Sequence, residues 1–157
     1  MLISTPHQKL KVLEICTKGE GFTDITPNIN DWLKSTSIDL GILHLTCLHT
    51  SASLILNENA DPRVLQDLSA FFSALAPENG FSSLNNKEAY SAYQHADEGP
   101  DDMPAHIKTA LTTVTLSLTL HKGKLLLGTW QSVYLWEHRS EPHIRRVAMH
   151  AIGGLHQ

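Results

Sequence analysis

The last third of the chain constrains the fold most. TTVTLSLTL (112–120), KLLLGTWQSVYLWEHR (124–139) and HIRRVAMHAIGG (143–154) follow one another with no helical pattern between them. The first alternates apolar with Thr and Ser, and all three are rich in β-branched or aromatic residues that suit a pleated surface. A tight HKGK turn holding Gly123 separates the first two, and Gly128 is expected to bend the second. A succession of strands without intervening helices excludes the regular strand–helix alternation of a wound parallel sheet.

The first two thirds mix both periodicities. HQKLKVLEICTK (7–18) reads as a strand. A helix is expected from Thr26 as cap and Pro27 at the first helical position to about Thr36, with Ile29, Trp32 and Leu33 inward. DLGILHLTCLHTSASLIL (39–56) keeps period two with both faces partly apolar, the mark of a central strand. Asp61 caps a second helix at Pro62, whose buried stripe is Val64, Leu65, Leu68, Phe71, Phe72 and Leu75. The polar segment 78–100 is expected to be a long loop, with helical tendency at 89–93. Asp101 or Asp102 then caps a short helix with Pro104 in its first turn. The class is α+β, in one domain over 1–157.

A chain of 157 residues with 41% hydrophobic content can bury a core unaided, and no run approaches the roughly 20 apolar residues of a membrane span. A net charge of −4 gives no basic footprint for nucleic acid. MLISTPHQKL has no charged segment followed by an apolar run, so a cytoplasmic location is expected. Cys16 and Cys47 lie in apolar stretches and read as small buried hydrophobes.

Ten histidines are the unusual feature. His49 begins HTSAS at a strand end, where backbone N–H groups and the Thr50 and Ser51 hydroxyls can converge on a ligand. His95 and His106 bracket HADEGPDDMPAH, with Asp97, Glu98, Asp101 and Asp102 between them and Gly99–Pro100 as a bend. Three imidazoles can hold zinc with an open position, and neighbouring carboxylates can orient the rings, move protons or take magnesium instead. No local zinc motif joins the three histidines. Each has a plain alternative in packing or solvation, and Asp101 and Asp102 have one in capping. NENADP supplies Asn57 and Glu58, expected to share the His49 end of the sheet. HRSEPHIRR is a weak basic cluster, either a solvated strand end or a phosphate contact.

HTSASLILNENADPRVLQDL, YQHADEGPDDMPAHIKTAL and GKLLLGTWQSVYLWEHR together resemble the signature blocks of the YjbQ-like family, whose members are uncharacterised or described as secondary thiamine-phosphate synthases. The resemblance spans about 3–153. It implies an antiparallel-rich β-sandwich with a few helices, assembled as a homotrimer. It places the family's histidines on His49, His95 and His106, near a subunit interface, as ligands of a divalent metal, zinc first and magnesium second. Glu98, Asp102, Gln131, Glu137 and Arg139 match its remaining polar positions. The implied activity joins a pyrimidine pyrophosphate to a thiazole phosphate. Glu98, Asp102 and Glu58 are then the catalytic candidates, and Thr50, Ser51, Asn57, Gln131 and Arg145 the substrate contacts. The alternative expectation is a trimeric module that binds an anionic metabolite without turning it over.

Overall fold

The computed structural model describes residues 6–83 and 85–155, so His156 lies outside the described residues. Ten strands and three helices follow in the order β1 (His7–Cys16), β2 (Gly21–Asp24), α1 (Thr26–Lys34), β3 (Ile38–Cys47), β4 (Ala52–Glu58), α2 (Pro62–Leu75), β5 (Phe81–Ser82), β6 (Tyr90–Ser91), α3 (Asp102–Leu111), β7 (Thr115–His121), β8 (Lys124–Leu125), β9 (Gln131–Glu137) and β10 (Ile144–Leu155). One sheet runs β1-β10-β3-β7-β8, a second runs β2-β9-β4, and β5 pairs with β6. All these pairings are antiparallel. The architecture is α+β with mostly antiparallel sheets. Among the described residues, no helix is long and apolar enough to cross a membrane.

One core joins the two larger sheets. Leu43, Leu45, Leu118, Leu120, Val147, Met149 and Ala151 come from the five-stranded sheet, Leu54, Val133 and Leu135 from the three-stranded sheet, and Ile29 and Leu33 from α1. Period two sets the faces. Val147, Met149 and Ala151 turn inward, while Ile144, Arg146, Ala148, His150 and Ile152 turn outward. The opposite face of β9 carries Trp136, which stacks on Phe22 with centroids 4.4 Å apart and meets the Phe72 ring edge at 5.0 Å.

Several sequence expectations are corrected. Segment 39–56 is two strands: β3 is indeed central in the larger sheet, but residues 48–51 turn a corner and β4 enters the other. The period is two on both sides of the corner and no Gly or Pro marks it, so pattern alone reads one strand. Segment 124–139 is likewise two strands. Gly128 N–H donates to Gln131 Oε1 at 2.8 Å, and Gln131 N–H to Gly128 O at 3.0 Å, closing a turn between sheets. Thr26 is the first helical residue, and its hydroxyl accepts from Val133 N–H at 2.8 Å, tying α1 to β9. Asp61 caps α2 as expected, accepting from Arg63 N–H. The α2 stripe is only half-covered, however, with Phe71 62% and Leu75 52% exposed. Residues 89–93 hold β6 rather than a helical turn. Cys47 is buried but Cys16 is exposed.

Candidate metal centre

Residues 95–106 form a loop that becomes α3. Gly99 sits at φ +120°, a conformation L side chains rarely adopt, and a Cβ there would meet Asp101 Oδ1 at 3.1 Å. Asp101 stands at the N-cap, yet neither it nor Asp102 makes a side-chain cap bond. Arg139 takes both instead. Its Nε donates to Asp101 Oδ2 at 3.1 Å, its Nη1 to Asp102 Oδ1 at 2.5 Å and its Nη2 to the Glu98 carbonyl at 2.7 Å. Burial works against ionised Asp101, but the Ser140 N–H and the Arg139 guanidinium outweigh it and hold the carboxyl below its ordinary range.

Asp102 and His106 are one helical turn apart on the same face of α3. His106 Nδ1 lies 2.9 Å from the Thr50 carbonyl. A carbonyl only accepts, so Nδ1 carries the proton and Nε2 keeps a free lone pair. That Nε2 is 3.6 Å from Asp102 Oδ1, and His95 Nε2 is 2.8 Å from Asp102 Oδ2. The second approach is an ion-pair distance, though the buried Oδ2 takes no well-aligned hydrogen bond. A buried carboxylate oxygen with no aligned hydrogen bond calls for positive charge beside it, from an imidazolium or a metal ion. One ligand atom from each of His95, Asp102 and His106 lies within 4.8 Å of the others. Tetrahedral zinc spaces its ligand atoms about 3.3 Å apart, and the His95 ring that would complete the set is half-exposed. The donor set therefore fits a divalent cation held by two nitrogens and one oxygen. The carbonyl behind His106 and the guanidinium behind Asp102 are the outer partners such ligands require.

His49 does not join them. Its Nε2 accepts from Arg146 N–H at 2.7 Å, which commits its one lone pair and places the proton on Nδ1. The Arg145 guanidinium, 3.4 Å from Nδ1, then faces another donor. Burial first, then the charges of Arg145 and Arg146, push His49 below its ordinary pKa. Arg145 is buried with Glu137, donating from Nε to Oε2 at 2.7 Å and from Nη2 to Oε1 at 2.5 Å, and Ser51 Oγ accepts from Nη2 at 3.1 Å. Burial opposes ionisation of Glu137, but Arg145, the Arg139 N–H and Thr17 hold its pKa down. Two of the five substrate candidates, Ser51 and Arg145, are thus engaged internally. Asn57, Glu58 and Gln131 stand at the other end of β4 and β9, where Glu58 pairs with Gln131 while Ala52 pairs with Glu137. At about 3.3 Å per residue that is roughly 20 Å from the His49 end, which corrects the shared-end expectation. Of the carboxylates beside the cluster, Glu98 is 74% exposed, with Oε2 3.6 Å from Arg139 Nη1.

Beside His106 lies an open groove of about 560 Å³, lined by His49, Thr50, His106, Thr109, Ala110, Thr112, Thr113 and Val114. Among the described residues, no lysine, arginine or carboxylate lines it. On the opposite face of α3, Lys108 is buried and its Nζ donates to Glu20 Oε1 at 2.6 Å. His138 shares that side, with Nε2 2.9 Å from Ser53 Oγ; burial, then the charge of Lys108, lowers its pKa from 6.5 to about 3. Nothing local in the sequence singles out Lys108 or His138, because the partners of both are distant in the chain. The pinning role of Arg139 was hidden for the same reason.

A family sequence model described as UPF0047 protein YjbQ-like matches residues 11–154. UPF0047 protein sll1880 of Synechocystis is 42% identical over 150 residues, covering 96% of this chain and 95% of that protein. YjbQ of Escherichia coli O157:H7 is 41% identical over 138 residues, covering 87% and 92%. An uncharacterised YjbQ/UPF0047 protein of Clostridium acetobutylicum superposes with TM-score 0.72 at 30% identity, over 89% of this chain and 98% of its own. A YjbQ-like protein of unknown function from Sulfolobus solfataricus shares the fold at TM-score 0.76 and 18% identity, covering 94% and 100%.

Proposed function

The chain belongs to the UPF0047, YjbQ-like family, and from that premise and the donor set around Asp102 we propose that it is a metal-dependent enzyme acting on a small phosphorylated molecule. The observation that carries this reading is the convergence of His95, Asp102 and His106 on one point, with ligand atoms within 4.8 Å of one another and the buried Asp102 Oδ2 2.8 Å from His95 Nε2. His95, His106 and Asp102 would hold the cation. When bound it supplies Lewis acidity and charge to match phosphate oxygens. The groove beside His106 offers neutral threonines, which suit the uncharged body of a substrate. With no cationic side chain lining that groove, affinity for a phosphate group rests on the metal.

Within this reading Asp102 is a ligand rather than a proton carrier. Glu98, exposed beside the cluster, is the side chain available to move a proton. Joining a pyrimidine pyrophosphate to a thiazole phosphate, with release of pyrophosphate, is the specific reaction we propose, as a secondary activity. We also propose a homotrimer assembled through the outer face of the five-stranded sheet, where Leu10, Val12, Ile42, Ile144 and Ile152 stand exposed.

The test is pyrophosphate release by untagged protein given both substrates with zinc or magnesium. The reading expects metal-dependent product, abolished by His106→Ala. Stoichiometric binding of the phosphorylated compounds with no product after long incubation replaces it with the non-catalytic binding module.

A further inference from the structure

The three bonds of Arg139 have a chemical consequence for the centre they hold. Asp102 has two oxygens. Oδ1, 3.6 Å from His106 Nε2, accepts from Arg139 Nη1 at 2.5 Å, whereas Oδ2 faces His95 Nε2 at 2.8 Å and takes no aligned hydrogen bond. The same guanidinium fixes Asp101 and the Glu98 carbonyl, so the chain between His95 and α3 is tied to one cation. Asp102 is 3% and Arg139 11% exposed, so water does not compete strongly for either. A carboxylate oxygen held in a charge-assisted bond to a guanidinium is a poorer donor to a metal, so Oδ2 is the favoured ligand atom. Two imidazole nitrogens and one oxygen make a compact, nitrogen-rich set that suits zinc. If Oδ1 were free, the carboxylate could chelate through both oxygens, and an oxygen-richer set suits harder ions such as manganese.

Resting on the metal-centre reading, we propose that Arg139 determines which metal the site takes, by holding Asp102 to a single ligand oxygen. It is a positioning residue and touches neither metal nor substrate. Arg139→Gln frees Oδ1 and removes the neutralising charge. Arg139→Lys keeps the charge, but a single ammonium cannot reach Asp101, Asp102 and Glu98 together.

The experiment is competition with a chromophoric chelator for zinc and, separately, manganese, on untagged wild-type and variant chains, with melting of the metal-free proteins alongside. Arg139→Gln is expected to weaken zinc by roughly 10- to 100-fold, the usual cost of an outer-shell change. Manganese is expected to lose less, so the zinc-to-manganese preference narrows. Arg139→Lys narrows it in the same direction by a smaller factor, and it carries the test if Arg139→Gln does not fold. Equal loss for both metals would reduce Arg139 to a general pin for the loop and overturn the proposal. Unchanged affinity for both would overturn it as well. A wild-type chain that binds neither metal brings down the metal-centre reading itself, a result distinct from either.

Discussion

Acidification should strip stability from this protein through His138, by an amount that follows from its surroundings. The ring is 2% exposed, packs against Trp136 at 4.8 Å between centroids, and has one nitrogen without a partner. Burial and the nearby Lys108 charge lower its pKa from 6.5 to about 3. The unfolded chain therefore takes up this proton near 6.5 and the folded chain near 3. Between those values the unfolded state binds more protons, so stability is complete above 6.5 and falls as pH drops towards 3. From pH 7 to pH 5 the loss from this residue is about 2 kcal/mol. For a chain of this size that corresponds to roughly 4–8 °C in Tm. Other titrating groups contribute too, so the informative quantity is the difference between wild type and His138→Gln, a side chain that can still bond Ser53. Urea melts of both at pH 7 and pH 5 should show wild type losing about 2 kcal/mol more than the variant. Equal losses would mean that His138 is protonated at the same pH folded and unfolded, and the reasoning from its burial would be wrong.

Three further outcomes follow from the packing and the loop. Gly99→Ala forces a Cβ onto φ +120° and against Asp101 Oδ1; it should cost about 1–3 kcal/mol in a denaturant melt and weaken zinc binding by displacing His95. Leu54→Ala empties a fully buried core position; thermal melts should show a loss of about 2–5 kcal/mol, with metal binding unchanged. Arg145→Met leaves Glu137 charged in the interior with only the Thr17 hydroxyl and the Arg139 N–H as donors; it should destabilise the chain by about 3–5 kcal/mol at neutral pH, whereas the phosphate affinity of molecules that remain folded, read by calorimetry, should stay as in wild type.

What the sequence made legible was local. Gly99, the two aspartates and Pro104 mark the turn into α3, and Asp61–Pro62 marks the start of α2. The i, i+4 spacing of Asp102 and His106 then follows from the helix itself. What it hid were relations across the fold. The corner at 48–51 carries no Gly or Pro, so the change of sheet between β3 and β4 went unseen, and Asn57 and Glu58 were placed at the wrong end of the sheet. The direction of His49 depends on Arg146, 97 residues away. Asp101 and Asp102 read as caps because capping is the local use of an aspartate, whereas their partner is Arg139, on the far side of β9 in sequence. The apolar stripe of α2 predicted burial that the chain does not supply, since periodicity shows which side of a helix is apolar but not what covers it.

The most direct test of the central claim is metal content per chain, by elemental analysis of untagged protein equilibrated with zinc and passed through a desalting column. The account predicts about one zinc per chain in wild type and in His49→Ala, whose ring nitrogen is committed to Arg146, and none in His95→Ala or His106→Ala. Zinc retained by His106→Ala but lost from His49→Ala, or no zinc in wild type, would contradict it.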